Sequence, residues 1–432
     1  MLALGTVILR QLGLNRAGEV RLGRFLSNKK VTKEALIEAM QEKVGVAAKG
    51  RHVLAIQDTT EINYQKHKSR VKGLGLVGNG IDVGFFMHPM LVLDAQDKTC
   101  LGISALTQWI REDKDRTSYK KELIEKKESF RWIRTAESSK KVLGEAKCIT
   151  IIADRESDIY EEWARIPDEK THLIIRACRD RKLYGEDLKL SEKVNNLPVQ
   201  GILEIEVEGK VGKRRAHKAK LEVRYTEVEI KKSKNCTDKN APGYIKLSVV
   251  DVKELDTVVE GEDPIHWCLL TTHRVSELTG ALQIVDWYCA RWNIEQLFRT
   301  LKKQGLDIES SQVENADALM KLSAIALQVA LQTMQLTLAR EGRDQKIQIL
   351  FDEEECQVLR GLQSKLEGKT EKQKNPHASD KLSWASWIIA RLGGWKGYKS
   401  ERPPGPITMA RGLTRFHSIH EGWLLFKDVC IP

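Results

Sequence analysis

The sequence lacks the cysteine spacing and the long apolar runs that mark several common protein classes. None of its eight cysteines forms a Cys-x-x-Cys pair, which excludes zinc ribbons and thioredoxin-type redox sites. No apolar run reaches the about 18 residues that cross a bilayer, and the first residues have no charged segment or small-residue cleavage site typical of secretion. We therefore expect a cytoplasmic protein with reduced cysteines and no membrane partner.

The signatures of nucleotide binding are also missing. There is no Walker A sequence, and residues 73–78 match G-x-G-x-x-G in letters only. A dinucleotide site needs that motif between a strand and a helix, whereas here it follows a basic loop and precedes an extended segment. We predict that it is a loop between strands.

What is abundant is positive charge. The 432 residues include 71 Lys and Arg against 60 Asp and Glu, which gives a net charge of +11 and a pI near 9.1. This excess favours an anionic partner, and nucleic acid before a membrane surface. The 41% of hydrophobic residues is enough to build a buried core.

The order of apolar segments predicts an α/β fold. Three strands in series are followed by strands that alternate with helices, which indicates a mixed sheet with helices on its faces. A block of alternating apolar and charged residues then predicts antiparallel strands with one wet face, inserted before the last core elements. The predicted strands are 53–56, 81–94, 100–110, 148–153, 172–175, 202–208, 221–230 and 266–271, and the predicted helices are 118–146, 158–165, 276–305 and 316–340.

Two carboxylates stand at the ends of predicted strands. Asp58 and Asp154 each follow an apolar run and precede polar residues. If the two strands are neighbours, the like charges repel unless a cation lies between them, and oxygen ligands suit Mg²⁺ or Mn²⁺. The alternative is that strands often end in Asp because turns begin there.

The predicted helix over 276–305 has one polar face. At 100° per residue its functional side chains fall within an arc of about 80°. A solvated charged stripe explains such a face, but so does a carboxylate ligand flanked by phosphate-binding groups. A basic cluster in the inserted block is likewise either a solvated loop or a phosphate contact. The helix residues are Tyr288, Arg291, Glu295, Arg299 and Lys302, and the cluster includes Lys213, Arg214 and Arg215.

These residues resemble a known signature. Tyr288-x2-Arg291-x3-Glu295-x6-Lys302 is similar to the Tyr-Arg-Glu-Lys signature of the IS-four family of DDE transposases. Residues 56–60 and 153–159 resemble the first and second acid motifs of that family, and the order of the acids agrees. The insertion before the third acid matches the relatives whose prototype is the transposon-five transposase. The resemblance runs from about residue 24 to the Gly-rich segments 392–394 and 411–413.

The resemblance implies an RNase H-like core in which Asp58, Asp154 and Glu295 hold two Mg²⁺ ions, which Mn²⁺ can replace. The implied reaction is cut-and-paste transposition through a hairpin intermediate, on double-stranded transposon ends and target DNA, by a homodimer that pairs two ends. Phosphates would be bound by Arg291 and Lys302, by Tyr288 through a hydrogen bond, and more weakly by Arg299.

Trp267 and Trp292 are expected to have different surroundings. Trp267 matches a Pro-x-x-Trp strand of the family, which implies stacking on a flipped base; the alternative is a buried strand residue. Trp292, next to Arg291, is expected in the core.

The chain divides into five expected regions. Only 23 residues precede Arg24, fewer than is usual in the family, so the alternative function is a non-catalytic regulator that inhibits transposition by forming mixed dimers. The regions are a shortened DNA-binding region (1–45), the first part of the core (46–183), a β-rich insertion (184–262), the second part of the core with the Glu-bearing helix (263–312), and a helical dimerisation region (313–432).

Overall fold

The computed structural model describes residues 1–111, 122–207, 216–255, 264–343, 345–398 and 400–430. Its strands are β1 (His52–Gln57), β2 (Thr60–Asn63), β3 (Gly75–Leu76), β4 (Val83–Asp94), β5 (Cys100–Trp109), β6 (Cys148–Ala153), β7 (Thr171–Arg176), β8 (Gly201–Val207), β9 (His217–Lys231), β10 (Tyr244–Glu254) and β11 (His266–Thr271). Its α-helices are α1 (Leu9–Leu12), α2 (Arg16–Ser27), α3 (Lys33–Ala48), α4 (Phe130–Val142), α5 (Tyr160–Arg165), α6 (Leu190–Asn195), α7 (Leu278–Cys289), α8 (Trp292–Arg299), α9 (Ala316–Ala339), α10 (Glu353–Leu366), α11 (Leu382–Leu392) and α12 (Pro406–Cys430).

The centre of the fold is a mixed sheet with the RNase H-like strand order β5-β4-β1-β6-β7. The first three strands are antiparallel to one another in succession, while β6 runs parallel to β1 and β7 runs parallel to β6. The series of strands followed by strand–helix alternation predicts this arrangement, and the prediction is confirmed.

The predicted β-rich insertion extends the same sheet. Strand β11 pairs antiparallel with β7, and β10, β9 and β8 follow it outward, so that the sheet has eleven strands. Burial along β9 alternates over much of its length, as expected for an antiparallel strand with one wet face. The insertion is therefore joined to the core through backbone hydrogen bonds, and its buried side chains, such as Leu221 and Val250, pack in the same apolar core as α7.

Helices cover both faces of the sheet because the strand side chains alternate. Leu54 and Ile56 point into a core shared with α7, α8 and α9. Val53 and Ala55 point to the opposite core, which contains Trp132 of α4. A third apolar core lies among the end of α9 and helices α10, α11 and α12, so the C-terminal part of the chain is helical as predicted.

Helix α9 is the central buried helix of the fold. Asn315 caps it by accepting hydrogen bonds from the backbone N–H groups of Asp317 and Ala318 at 2.9 and 3.2 Å. By length and composition α9 could cross a membrane, but 72% of its most apolar 18-residue window is buried inside the protein. Most of this apolar window therefore packs against other elements of the protein.

The prediction of one long helix over 276–305 is wrong. Helix α7 begins after Glu277 and ends at Cys289, α8 begins at Trp292, and residues 300–304 form a π-helical turn. At the break, the N–H of Arg291 bonds to the carbonyl of Tyr288 at 3.0 Å, three residues back instead of four, and Asn293 donates its side-chain amide to the carbonyl of Ala290 at 2.8 Å. Aromatic residues and Asn have low helix propensity, and the Asn side chain competes for backbone groups.

Two smaller differences concern other segments. The helix expected over 118–146 is longer than the observed one, since α4 covers only 130–142. Residues 112–121 lie outside the described ones. The G-x-G-x-x-G segment, expected to be a loop between strands, contains the two-residue strand β3, which pairs with β4.

The crossing of α11 and α12 generates a stability prediction. A Cβ atom on Gly412 would lie 1.9 Å from the carbonyl oxygen of Ile389, so the helices approach as closely as they do only because residue 412 has no side chain. We expect Gly412→Ala to lower the free energy of unfolding by about 1–3 kcal/mol, measured by urea denaturation.

The matched control is Gly422→Ala in the same helix, where a Cβ would meet nothing within 4 Å. This change should stabilise the protein by about 0.5–1 kcal/mol, because alanine has the higher helix propensity. Equal effects of the two substitutions would contradict the close-approach explanation.

Candidate active site

The parallel pairing of β1 and β6 places two carboxylates side by side. The register aligns Ile56 with Ile152, and Asp58 and Asp154 each come two residues further on, at the carboxyl ends of the neighbouring strands. Each aspartate accepts a hydrogen bond from the next backbone N–H, that of Thr59 or Arg155, at 2.7 Å. The same local hydrogen bond therefore holds both carboxylates at one edge of the sheet, although Asp58 leads into β2 and Asp154 caps a 3-10 turn.

Glu295 approaches this edge from α8, and Arg291 connects it to the first aspartate. One terminal nitrogen of the Arg291 guanidinium lies 3.0 Å from Oδ2 of Asp58, and the other lies 3.1 Å from Oε1 of Glu295. The arginine side chain is only 8% exposed, while the two carboxylates are 23% and 30% exposed. The guanidinium thus forms a largely buried bridge between two accessible acids.

Burial is the main influence on the pKa of Asp58, and the neighbouring acids add to it. Burial raises this pKa to about 6; Arg291 opposes the rise, whereas the nearby Asp154 and Glu295 add to it. Burial, with a contribution from Asp154, also raises the pKa of the Tyr288 hydroxyl to about 12. At neutral pH Tyr288 therefore keeps its proton and can donate a hydrogen bond.

The donor set fits a hard divalent cation. All three acids offer carboxylate oxygens, the ligands that Mg²⁺ and Mn²⁺ prefer. Within the described ranges, their oxygens do not form a group in which all ligand atoms lie within 4.8 Å of one another. The position of Arg291 explains the wider spacing, because its guanidinium supplies the positive charge between Asp58 and Glu295.

The other residues predicted from the signature surround this centre at different depths. Lys302, on the π-helical turn, donates a hydrogen bond to the carbonyl of Glu61 at 2.8 Å and lies 3.3 Å from Glu309. Arg299 is exposed on α8. Trp267, on β11, is half-buried with its ring centroid 5.9 Å from that of Tyr288. The basic residues Lys213, Arg214 and Arg215 lie outside the described residues.

The expectation that Trp292 lies in the core is wrong. Its side chain is 51% exposed at the start of α8, and the guanidinium carbon of Arg291 lies 5.0 Å from its ring centroid. At 100° per residue Trp292 falls 40° from Tyr288, next to the polar arc and away from the apolar face of the helix, so its exposure follows from the helix angle itself. Trp292 is therefore an exposed aromatic surface beside the acids.

Sequence reasoning also missed Arg131 of α4. Its Nε donates to the hydroxyl of Thr59 at 3.0 Å, and a terminal nitrogen donates to Glu156 at 2.7 Å. It thereby joins the turn that follows Asp58 to the turn that follows Asp154. No spacing along the chain relates residue 131 to either turn, so nothing in the sequence alone identifies it.

A second connection lies beneath the two aspartates. Buried Glu162 of α5 accepts hydrogen bonds from the side chains of Gln57, at 3.1 Å, and Ser157, at 2.6 Å. Gln57 is also 3.2 Å from the ring of His88, which in turn contacts Thr59 at 2.8 Å. Because complete burial raises the pKa of Glu162 to about 8, this carboxyl is largely protonated at neutral pH.

The raised pKa of Glu162 generates a pH-dependent stability prediction. In the folded state the Glu162 carboxyl keeps its proton up to a pH of about 8, whereas in the unfolded chain it releases the proton near pH 4.5. The contribution of Glu162 to stability therefore falls as the pH rises from about 4.5 to about 8. Glu162→Gln keeps a hydrogen-bond acceptor but cannot lose a proton. We therefore expect the free energy of unfolding of this variant, compared with that of the wild type, to be about 2–4 kcal/mol higher above pH 8 than at pH 4.5. Chemical denaturation across this pH range measures the difference. A constant offset at every pH would contradict the assignment.

A family model described as the transposase DDE domain matches residues 111–329, about half of the chain. The matched region contains Asp154 and Glu295 and begins after Asp58. The RNase H-like sheet, with its carboxylates at one edge, agrees with that match, and the family's activity implies a DNA substrate and nuclease and strand-transfer chemistry. The chain belongs to the family of DDE transposases.

Proposed function

We propose that this transposase catalyses cut-and-paste movement of an insertion sequence and is a member of the IS-four family. The observation that carries the proposal is the convergence of Asp58 and Glu295 on one guanidinium, beside Asp154 on the neighbouring parallel strand. In this proposal the three acids are catalytic metal ligands. Their all-oxygen donor set favours Mg²⁺, and Mn²⁺ can replace it.

The chemistry requires little beyond binding and alignment from the protein. When bound, the metal ions supply activation of a water or 3′-hydroxyl nucleophile and stabilisation of the leaving 3′-oxygen. Asp58 and Asp154 would hold their ligand oxygens on turns that Arg131 and Glu162 fix in place. No side chain acts as a nucleophile, which agrees with the lack of a Ser-His or Cys-His signature in the sequence.

Arg291 has a second role in this proposal. Its Nε is buried and has no hydrogen-bond partner among the described residues, while both terminal nitrogens serve carboxylates. Once cations neutralise Asp58 and Glu295, the guanidinium can direct its donors to DNA phosphates, for which its planar fork is suited. Tyr288, which keeps its proton, and Lys302 would bind phosphates nearby, with exposed Arg299 as an outer contact.

The proposed hairpin route needs an aromatic surface for a flipped base. Trp267 is half-buried, and its ring lies 5.9 Å from that of Tyr288, the first residue of the signature, which supports this role. Exposed Trp292 offers a second surface on the other side of Arg291. We assign the stacking role to Trp267, in line with its place in the family's Pro-x-x-Trp strand.

The remaining regions receive binding roles. We propose that residues 1–45 and the insertion, with Lys213, Arg214 and Arg215, contact the transposon end, and that residues 313–432 pair two copies in a complex of two ends. The exposed apolar side chains Ile419, Leu425 and Phe426 on α12 support a dimer contact, because such a cluster is unfavourable in water. The cytoplasm, where the DNA substrate of a bacterial element lies, is the proposed location.

The test is a gel-shift and cleavage assay with Mg²⁺ or Mn²⁺ on DNA that carries the inverted repeats flanking the source element. We expect Asp58→Ala, Asp154→Ala and Glu295→Ala each to abolish nicking, hairpin formation and strand transfer while DNA binding persists. Denaturing gels resolve the three products, so the hairpin step is tested in the same experiment. Loss of cleavage reflects lost metal ligands and not lost affinity.

The control is Asp286→Ala on α7, whose carboxylate is exposed and paired with Lys98 at 2.7 Å, away from the other acids. It should cleave like the wild type. Cleavage that survives in any one of the three acid variants would overturn the assignment. A wild-type chain that fails to cleave but inhibits a longer relative by mixed assembly would instead establish the regulator alternative.

The adjacent lysines 302 and 303 provide a matched test of phosphate binding. Lys302 lies at the active-site edge by Glu61, whereas Lys303 is exposed and close to Asp307. In a metal-free salt titration of DNA binding, Lys302→Ala should weaken binding and reduce the slope of log K against log salt by about 1. Lys303→Ala should change the slope less. The reverse order would place the phosphate contact on Lys303.

A further inference from the structure

A compact group of metal-ligating side chains lies far along the chain from the three acids. Glu355, in the first turn of α10, faces His417 and His420 of α12. One ligand atom from each residue lies within 4.8 Å of the other two. The histidines are three positions apart on a helix, so they share one face. Among the described residues no other group of three meets this distance.

Two members of the group have an atom that is available to bind a metal ion. The ring Nε2 of His420 is buried and has no hydrogen-bond partner in the described part of the protein. A buried ring nitrogen without a partner is uncommon and costs free energy. Glu355 uses Oε2 to accept the backbone N–H of Asp352 at 3.0 Å, which fixes the carboxylate and leaves Oε1 to bind a ligand.

The aromatic residues of α12 orient one of the histidines, and His417 is half-buried beside it. The ring of His420 stacks between those of Phe416 and Trp423, at centroid distances of 6.0 and 6.1 Å. Apolar rings around a metal ligand restrict its motion and exclude water.

We propose that Glu355, His417 and His420 form a binding site for a zinc-class divalent ion that joins α10 to α12. Two imidazoles and one carboxylate suit Zn²⁺, whereas Mg²⁺ prefers oxygen ligands. Zinc bonds of about 2.0–2.2 Å place neighbouring ligand atoms about 3–3.5 Å apart, so small side-chain rotations close the group. A fourth position stays open to water.

The site lies where the C-terminal helices already meet. Lys427 of α12 pairs with Glu354 of α10 at 2.8 Å, and the ring of Phe416 packs edge-on against Phe351 at 5.5 Å. A metal ion adds a strong link to these contacts. It stabilises the folded chain because the unfolded chain does not assemble the three ligands.

The experiment uses the full chain after treatment with a chelator. Zn²⁺ is titrated against a chromophoric chelator in excess Mg²⁺, which occupies oxygen-only sites, and the melting temperature is measured with and without Zn²⁺. Wild-type protein should bind one more equivalent of Zn²⁺ than His420→Ala and should melt several degrees higher with Zn²⁺. Glu355→Gln should weaken Zn²⁺ binding by at least about 10–100-fold, because that is the loss seen when only a residue hydrogen-bonded to a metal ligand is removed.

Two features keep the test decisive. Glu355→Gln retains an acceptor for the Asp352 N–H, so helix α10 keeps its cap even if His420→Ala fails to fold. Glu354→Gln, at the adjacent position, loses only the ion pair with Lys427 and should bind Zn²⁺ like the wild type. Substitution with Co²⁺ should give the intense visible absorption of a tetrahedral site in wild type and in Glu354→Gln. Equal Zn²⁺ stoichiometry and affinity in wild type and Glu355→Gln would overturn the proposal.

Discussion

The parallel pairing of β1 with β6 is the constraint on which the rest of the site depends. These strands are buried on both faces, and their register fixes the relative positions of Asp58 and Asp154 to within one residue. A slip by one residue would exchange the two faces of a strand and bury one carboxylate in an apolar core. The two apolar cores therefore specify the geometry of the acids, and the helices above and below the sheet contribute to it indirectly.

Repulsion between the carboxylates is the main energetic cost of this arrangement. Three carboxylates near one sheet edge repel one another, and the chain answers with Arg291, which spans Asp58 and Glu295 from a largely buried position. Below them, Glu162 avoids adding a fourth negative charge because burial favours its protonated form. Residues that look alike in the sequence thus behave differently: the acids at the edge stay partly exposed, while the buried carboxyl is neutral and acts as a hydrogen-bond partner.

The sequence predicted eight of the eleven strands, because most strands show as short apolar or alternating runs, whereas β2, β3 and β10 were not predicted. Apolar runs that end in Asp58 and Asp154 indicate strand ends directly. The break between α7 and α8 was not predicted, because a hydrophobic period of 3.6 residues continues through it and only local hydrogen bonds reveal the interruption. Arg131 and Glu162 could not be identified either, because their roles depend on contacts between segments far apart in the chain.

The break between α7 and α8 divides the residues of the signature between two helices. Tyr288 belongs to α7, whereas Arg291 stands at the joint and Glu295 belongs to α8, which ends in a π-helical turn. Buried Ile294 and Leu297 of α8 belong to the same apolar core as Leu54 and Ile56 of β1. The strand that leads to Asp58 and the helix that carries Glu295 are therefore held by one core, so a substitution in that core would change the distance between the two carboxylates.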